Sequence, residues 1–359
     1  MRNFKKTAAV LILVSFIFGT VAPAAANDWD DTNKEGMYTE TTTSGGAYSM
    51  SMGYITTAGG DYSTAMGYGT GAAGSYSTAM GWYAYAGGVA STAMGNQALA
   101  NGWGSTAMGC QTIADGSYST AMGKSTKATN EASVAMGDST TASGAYSTST
   151  GYGSLAAGGG SFAGGGSYRQ DFGGKAYGNS SFAFGFGAVA GAEGDADKGY
   201  NAIAIGYHVT ATGYTSVALG NSTIASGNYS TAMGWYTSAS GDYSTAMGNM
   251  TNAGGSYSTA MGTETNASGV ISTAMGSGTT AGGYVSTAMG NKTTASGSAS
   301  TAMGEFTKAT KEASVAMGKS TTAAGFASAA MGESSNASGN YSTATGYGSL
   351  AAGGGSFAG

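Results

Sequence analysis

A glycine that returns every 14 residues constrains this chain more than any other feature of its sequence. It stands at positions 53, 67, 81, 95, 109, 123 and 137, continues through 151 and 165, and after a break recurs from 206 to 346. Self-similarity at a short fixed period is typical of solenoid proteins, in which each unit stacks on its neighbours. The repeat covers nearly all of the chain after about residue 45.

Each unit also contains a second glycine. When positions are counted from the recurrent glycine as position 0, Ala recurs at +5 and Gly usually at +7, as in Ala72 and Gly74. Because glycine favours tight turns, this spacing predicts two turns and two short strands per unit. We therefore expect an all-β solenoid in which every 14-residue unit forms one flat coil.

Strand alternation sorts the residues of a unit between two faces. In the stretch 62–67, Y-S-T-A-M-G, it places Tyr62, Thr64 and Met66 on one side and Ser63 and Ala65 on the other. The side chains at positions +3 and +5 of the second strand are also small, whereas the residue type at +4 varies. A thin coil has room only for small side chains, so we expect these two small-residue faces inside and position +4 in water.

This assignment leaves a column of apolar side chains at position −1 on the outside of the coils. A soluble monomer rarely exposes a contiguous apolar patch larger than a few hundred Å². The one surface certain to match a periodic column in register is the same column on another copy. The residues predicted to form this subunit interface are Met66, Met80, Met94, Met108, Met122, Met136, Ile205, Leu219, Met233, Met247, Met261, Met275, Met289, Met303, Met317 and Met331.

The composition excludes several other classes of protein. The 66 glycines occur with 1 proline and without a Gly-x-y period, which excludes collagen, and an aromatic content of 11% argues against disorder. An acidic chain without basic clusters is a poor partner for nucleic acid. The one cysteine, Cys110, cannot form an intrachain disulfide, and its place at position +1 predicts an exposed side chain.

The first 26 residues have the features of a secretion signal peptide. Arg2, Lys5 and Lys6 form a basic start, an apolar run follows, and A-A-A at 24–26 supplies a cleavage signal. The apolar run is too short for a transmembrane helix. We expect export, with Asn27 as the first mature residue and 27–44 as a leader segment. Cleavage removes three positive charges and takes the formal net charge from −5 to −8.

The repeat unit S-x-A-M-G, followed by Ala at +5 and Gly at +7, resembles the head repeat of trimeric autotransporter adhesins, the YadA type. The closest stretches are N-A-I-A-I-G at 201–206, S-V-A-L-G at 216–220 and S-V-A-M-G at 133–137. The resemblance implies a left-handed parallel β-roll that associates as a homotrimer through the face that carries Thr64 and Met66. It also implies an exported, surface-exposed adhesin that binds a host protein, a matrix protein or a cell-surface glycan.

The sequence departs from that family in having no recognisable heptad stalk or four-strand membrane anchor. The chain stops inside a unit, and its last stretch, 346–359, repeats the residues from 151 onward. We therefore expect a fragment of a longer protein or a released head, attached to a membrane only through a missing or separate anchor. The expected regions are β-roll repeats at 45–165, an interrupted region with inserted loops at 166–200, and β-roll repeats at 201–359.

Few residues in the chain have the character of a chemical site. The inserted loops are expected to contain Arg169, Asp171, Lys175, Glu193, Asp195, Asp197 and Lys198. The D-A-D stretch at 195–197 lacks the remaining ligands of a calcium loop, so no metal site or cofactor is predicted. His208, the single histidine, falls on the water-facing side without a catalytic companion. Trp82, Tyr83, Trp235 and Tyr236 are outward-facing candidates for ligand contact or for packing at a subunit seam.

Three functions fit these features. An adhesin head would bind a surface through many weak repeated contacts. A structural spacer or surface fibre would need no ligand, and about twenty coils would give a rod of about 100 Å. An ice-binding solenoid would need paired exposed threonines, for which the pairs at +3 and +4, such as Thr140 and Thr141, are candidates. Without a catalytic constellation, we do not expect an enzyme.

Overall fold

The computed structural model describes residues 42–166 and 172–359 of the chain. The predicted signal peptide and most of the leader segment lie outside these ranges, as do Arg169 and Asp171. The described residues form two parallel sheets of 22 strands each, and every coil contributes one strand to each sheet. No helix in these ranges is long and apolar enough to cross a membrane.

The long-strand sheet contains mostly five-residue strands that carry positions −3 to +1. Its strands are Met50–Tyr54, Thr64–Tyr68, Thr78–Trp82, Thr92–Asn96, Thr106–Cys110, Thr120–Lys124, Val134–Asp138, Thr148–Tyr152, Phe162–Gly164, Phe182–Phe184, Ile203–Tyr207, Val217–Asn221, Thr231–Trp235, Thr245–Asn249, Thr259–Thr263, Thr273–Ser277, Thr287–Asn291, Thr301–Glu305, Val315–Lys319, Ala329–Glu333, Thr343–Tyr347 and Phe357–Ala358.

The short-strand sheet contains two-residue strands that carry positions +4 and +5. Its strands are Thr43–Ser44, Thr57–Ala58, Gly71–Ala72, Tyr85–Ala86, Leu99–Ala100, Ile113–Ala114, Lys127–Ala128, Thr141–Ala142, Leu155–Ala156, Lys175–Ala176, Val189–Ala190, Thr210–Ala211, Ile224–Ala225, Ser238–Ala239, Asn252–Ala253, Asn266–Ala267, Thr280–Ala281, Thr294–Ala295, Lys308–Ala309, Thr322–Ala323, Asn336–Ala337 and Leu350–Ala351.

Successive coils pair in parallel at a register of one repeat. Ala65 lies opposite Ala79, and Met66 lies opposite Met80. The backbone N–H of Thr64 donates to the carbonyl of Ser77 in the next coil at 2.9 Å. The predicted β-solenoid of 14-residue coils is therefore confirmed.

The stack also continues through the segment that contains the inserted residues. Leu155 pairs with Lys175 and Phe162 with Phe182, across the first insertion. Phe182 in turn pairs with Ile203 across the second. Lys175, expected in a loop, instead lies in a short strand, because the coil resumes at the preceding residue. The strands on either side of each insertion therefore pair directly, and the two sheets are not interrupted.

Small side chains fill the interior, as strand alternation predicts. The alanines at −2 and +5, such as Ala65 and Ala72, are fully buried, and so are the serines and threonines at −4 and +3, such as Ser119 and Thr126. The side chain at +3 therefore points inward and only the one at +4 faces water. Pairs such as Thr140 and Thr141 thus present one threonine to solvent, not the two that an ice-binding face needs.

Many of the buried threonine hydroxyls at +3 make no hydrogen bond within the described residues, among them that of Thr265. Where the facing residue at −2 is serine, the inner hydroxyls pair, as Ser149 and Ser154 do at 2.7 Å. Four coils have an apolar residue at +3, and all four side chains are buried: Ala84, Ala98, Ala188 and Val209. The small size of the side chains at the buried positions thus matters more for the interior than hydrogen bonding between their hydroxyls.

The turns between the strands use left-handed backbone at non-glycine residues. Tyr62 at position +9 has a φ of 56° and Ile55 at +2 has a φ of 53°. Bulky residues rarely adopt this conformation. Here the N–H of Tyr62 donates to the carbonyl of Ala47 in the preceding coil at 2.7 Å, and its ring stacks on that of Tyr76 at 5.1 Å. Bonding and stacking between coils offset the local backbone strain.

Candidate interaction surfaces

The outer face of the long-strand sheet carries the predicted subunit interface. Its residues occupy position −1 of successive strands, so that Met80, Met94 and Met108 lie opposite one another in register. Parallel strands lie about 4.8 Å apart, which brings successive methionines into contact range along the column. Each remains partly exposed in the single chain, with Met122 at 38% and Met136 at 39%. The result is an apolar stripe that is open on one side.

The sequence-based list of interface residues missed the middle of this column. Thr150 follows Met136 in register, and Phe184 precedes Ile205. In the neighbouring −3 column, the rings of Phe162 and Phe182 stack with centroids 4.8 Å apart. Phe184 could have been found from the sequence, because it directly precedes Gly185 as each methionine precedes its own glycine.

The candidate contact aromatics lie on the outside, as predicted. The exposed fractions of Trp82, Tyr83, Trp235 and Tyr236 are 54%, 49%, 43% and 54%. They form two separate groups, because ten coils of about 4.8 Å each place roughly 50 Å between them.

The first group is part of a larger ring cluster. Trp82 stacks on Tyr68 at 4.9 Å, and Tyr83 meets Tyr68 edge-on at 5.4 Å. A side-chain hydrogen bond with Tyr68 raises the pKa of Tyr83. The second group is a T-shaped pair, with the rings of Trp235 and Tyr236 4.7 Å apart.

His208 and Cys110 lie at turn-proximal positions of the outer surface. The exposed imidazole of His208 meets the rings of Phe172, Phe186 and Tyr207 edge-on, at 5.7, 5.2 and 4.4 Å. The free thiol of Cys110, expected to be exposed, is instead half-buried. Stacked neighbours in the +1 column cover part of each side chain there.

The second inserted loop, residues 192–199, is an ordered turn structure on the surface. It contains the expected residues Glu193, Asp195, Asp197 and Lys198, all of them exposed. Burial, and then the carboxylate of Glu193, raises the pKa of Tyr177 on the adjoining coil. No group of three or more His, Cys, Asp or Glu side chains in the described ranges could hold a metal ion.

Comparison with models of protein families finds repeated matches to one family, described as "YadA head domain repeat (2 copies)". The matched segments cover well over half of the chain and are 44–70, 58–84, 86–111, 114–140, 128–154, 211–237, 239–265, 267–293, 286–304, 295–321 and 323–349. A search of curated proteins found no match.

Proposed function

The chain belongs to the YadA head family, and from this premise we propose that it is an exported, homotrimeric adhesin head that attaches to host, matrix or neighbouring-cell surfaces. The family is one of non-enzymatic adhesins whose heads form trimers. Membership also suggests a surface-exposed protein.

The observation that carries the proposal is the open apolar stripe on the long-strand sheet. Its methionines repeat in register from coil to coil and are only half-covered by one another. An apolar surface of this length is unusual on a monomer. A symmetry-related copy offers the same column at the same period, so three chains would bury it around a common axis.

The repeated contact groups of a trimer would provide its attachment to a surface. In a trimer the aromatic groups at Trp82 and Trp235 would each be present three times on one rigid body. Weak contacts joined in this way gain avidity, because the second and third binding events become intramolecular. The signal peptide predicted at 1–26 would deliver the mature chain, from Asn27 onward, to the cell surface or the extracellular space.

Sizing with light scattering on residues 27–359 tests the trimer. We expect a mass three times that of the chain, and a monomer for the double variant Met275→Glu, Met289→Glu, which places two charges on the stripe. The matched control, Thr280→Glu with Thr294→Glu, changes the same two coils on the short-strand sheet and should remain trimeric. A monomeric wild type, or an unchanged mass for the methionine variant, would refute the proposed interface.

Beads coated with the trimer test attachment. Adhesion to cultured cells or to matrix-coated surfaces, with uncoated beads as the reference, supports an adhesin. Trimer formation without adhesion to any surface would favour the spacer function instead. The uninterrupted stack of 22 long strands supports that alternative, since it makes a rod of about 100 Å.

A further inference from the structure

A ladder of stacked tyrosines changes column beside the loop 192–199. Tyr200 and Tyr214 stack at position +8, with centroids 5.3 Å apart and planes 7° apart. Tyr229, Tyr243 and Tyr257 stack at position +9, with 4.9 Å between neighbouring rings. At the change of column, Tyr214 and Tyr229 are tilted by 58°. One face of the Tyr214 ring is therefore not covered by a parallel ring.

Polar side chains follow Tyr214 along its own column. The carbonyl oxygen Oδ1 of Asn228 accepts a hydrogen bond from the backbone N–H of Tyr214 at 2.9 Å. Oδ1 of Asp242 accepts one from the N–H of Asn228 at 2.8 Å. These bonds hold both side chains in place. Nδ2 of Asn228 and Oδ2 of Asp242 make no hydrogen bond within the described ranges.

The loop 192–199 forms the facing wall and is held firmly. Asn179 donates its N–H to the carbonyl of Ala196 at 3.0 Å, and Oδ1 of Asp195 accepts the N–H groups of Asp197 and Lys198. At its neck, a Cβ on Gly199 would lie 2.3 Å from Cα of Gly191, so the two ends of the loop touch. The wall is thus fixed before any ligand arrives.

Between these walls lie two adjoining grooves of about 430 and 480 Å³. Both are lined by Asp197, Tyr214 and Asn228; the first adds Thr212 and Ser226. Grooves of this size accommodate small organic ligands. Their walls combine the ring of Tyr214, which is 41% exposed and meets Tyr229 at a tilt, with an amide, hydroxyls, carboxylates and one ammonium.

We propose that this groove binds a neutral oligosaccharide of two to four sugar rings. An aromatic face suits the apolar C–H side of a sugar ring, and the surrounding mixture of donors and acceptors suits its hydroxyls. Asp197 and Asp242 outnumber Lys198, which disfavours acidic sugars. Both carboxylates face water, where attraction for a cationic peptide is weak. The inference deepens the proposed attachment function and rests on it for its biological role.

Saturation-transfer NMR and titration on residues 27–359 test the site, with cellotetraose, mannotriose and chitotriose as probes and tetralysine as the cationic comparison. We expect at least one neutral probe to bind. Tyr214→Ala and Asn228→Ala should each weaken that binding by about tenfold or more. Both side chains are exposed, so the fold should survive, as an unchanged circular dichroism spectrum would show.

Phe326→Ala is the matched control. Phe326 and Tyr341 make the same column change, with rings 5.3 Å apart at 76°, but no inserted loop faces them. This variant should bind the probe as the wild type does. The proposal is overturned if no neutral probe binds, if only tetralysine binds, or if Tyr214→Ala binds as tightly as the wild type.

Bead attachment separates this inference from the proposed function. If beads coated with Tyr214→Ala no longer attach and beads coated with Phe326→Ala still do, the result supports both the oligosaccharide site and the adhesin function. Beads that attach equally well with Tyr214→Ala overturn the oligosaccharide site as the adhesive element and leave the adhesin standing.

Discussion

The recurrent glycine at position 0 should be the position least tolerant of change. A Cβ at Gly276 would lie 2.0 Å from the carbonyl oxygen of Gly290 in the next coil, and ordinary contacts begin at 3.4 Å. To relieve this clash, the two coils would have to separate locally by about 1.4 Å. Adjacent hydrogen bonds, such as Thr273 N–H to the Ser286 carbonyl at 2.9 Å, would then exceed 4 Å and break.

The expected cost of Gly276→Ala has two parts. Two to three backbone hydrogen bonds at about 1 kcal/mol each are lost. The φ of 122° at Gly276 lies outside the region open to alanine, which adds about 1–3 kcal/mol. The sum is about 3–6 kcal/mol, a large share of the stability of an ordinary domain.

Two control variants separate the contributions. Gly346→Ala has a φ of 95° but no atom within 4 Å of the new Cβ, so it should lose only the conformational part. Gly282→Ala, at position +6 of the same coil, should change the stability by about 1 kcal/mol or less. Its new Cβ would meet only the hydroxyl of Ser268, at 3.7 Å, and its φ does not lie in the left-handed region.

Guanidinium unfolding followed by circular dichroism, at one protein concentration for all variants, gives the free energies of unfolding. Hydrogen exchange at residues 262–290 shows whether the loss is local to the two coils. The reasoning is refuted if Gly276→Ala loses no more stability than Gly346→Ala, or if Gly282→Ala loses as much as Gly276→Ala.

Three further predictions concern the interior, the loop and the tyrosine ladder. Thr265→Val should stabilise the protein by about 1 kcal/mol, since it removes a buried unpaired hydroxyl at a position where Val209 already fits; a lower unfolding midpoint would contradict this. Burial, and then Glu193, raises the pKa of Tyr177, so the folded protein favours the neutral phenol. The stability that this phenol contributes is complete below about pH 10 and is lost as the pH rises through the folded-state pKa. Tyr177→Phe should therefore reduce the alkaline loss of stability in thermal melts from pH 8 to 11.5. Tyr243→Ala removes two ring stacks and should cost about 1–3 kcal/mol by denaturant unfolding, and an unchanged midpoint would show that the stacks add nothing.

Much of the fold could be predicted, because the repeat length and the spacing of its glycines define the shape of one coil. A 14-residue step with two turns defines a coil, and alternation across Ser63, Thr64 and Ala65 defines its inside. The insertions were harder to interpret, because six or seven extra residues break the step in the sequence but not the pairing of Phe162 with Phe182. Hydrogen bonding between coils depends on which strand residues pair across the insertion, not on the number of residues inserted between them.

The groove beside Tyr214 could not have been predicted in this way. Its aromatic side chains belong to two different columns, and their tilt depends on left-handed turns at Thr215 and Tyr229, residues that seldom adopt them. The facing loop reaches the groove only because Gly191 and Gly199 meet at its neck. Neither the tilt of the rings nor the contact between the two ends of the loop corresponds to a regular spacing of residues in the sequence.

The sequence by itself determined the coil length, the small-residue interior and the apolar column at position −1, because each follows from a period repeated along the chain. The tertiary structure alone decided that bulky side chains occupy left-handed turns and that a rigid loop lies against a break in the tyrosine ladder. The physical reason is that these features arise between coils, where stacking and hydrogen bonding over 14 or more residues outweigh the preferences of any single residue.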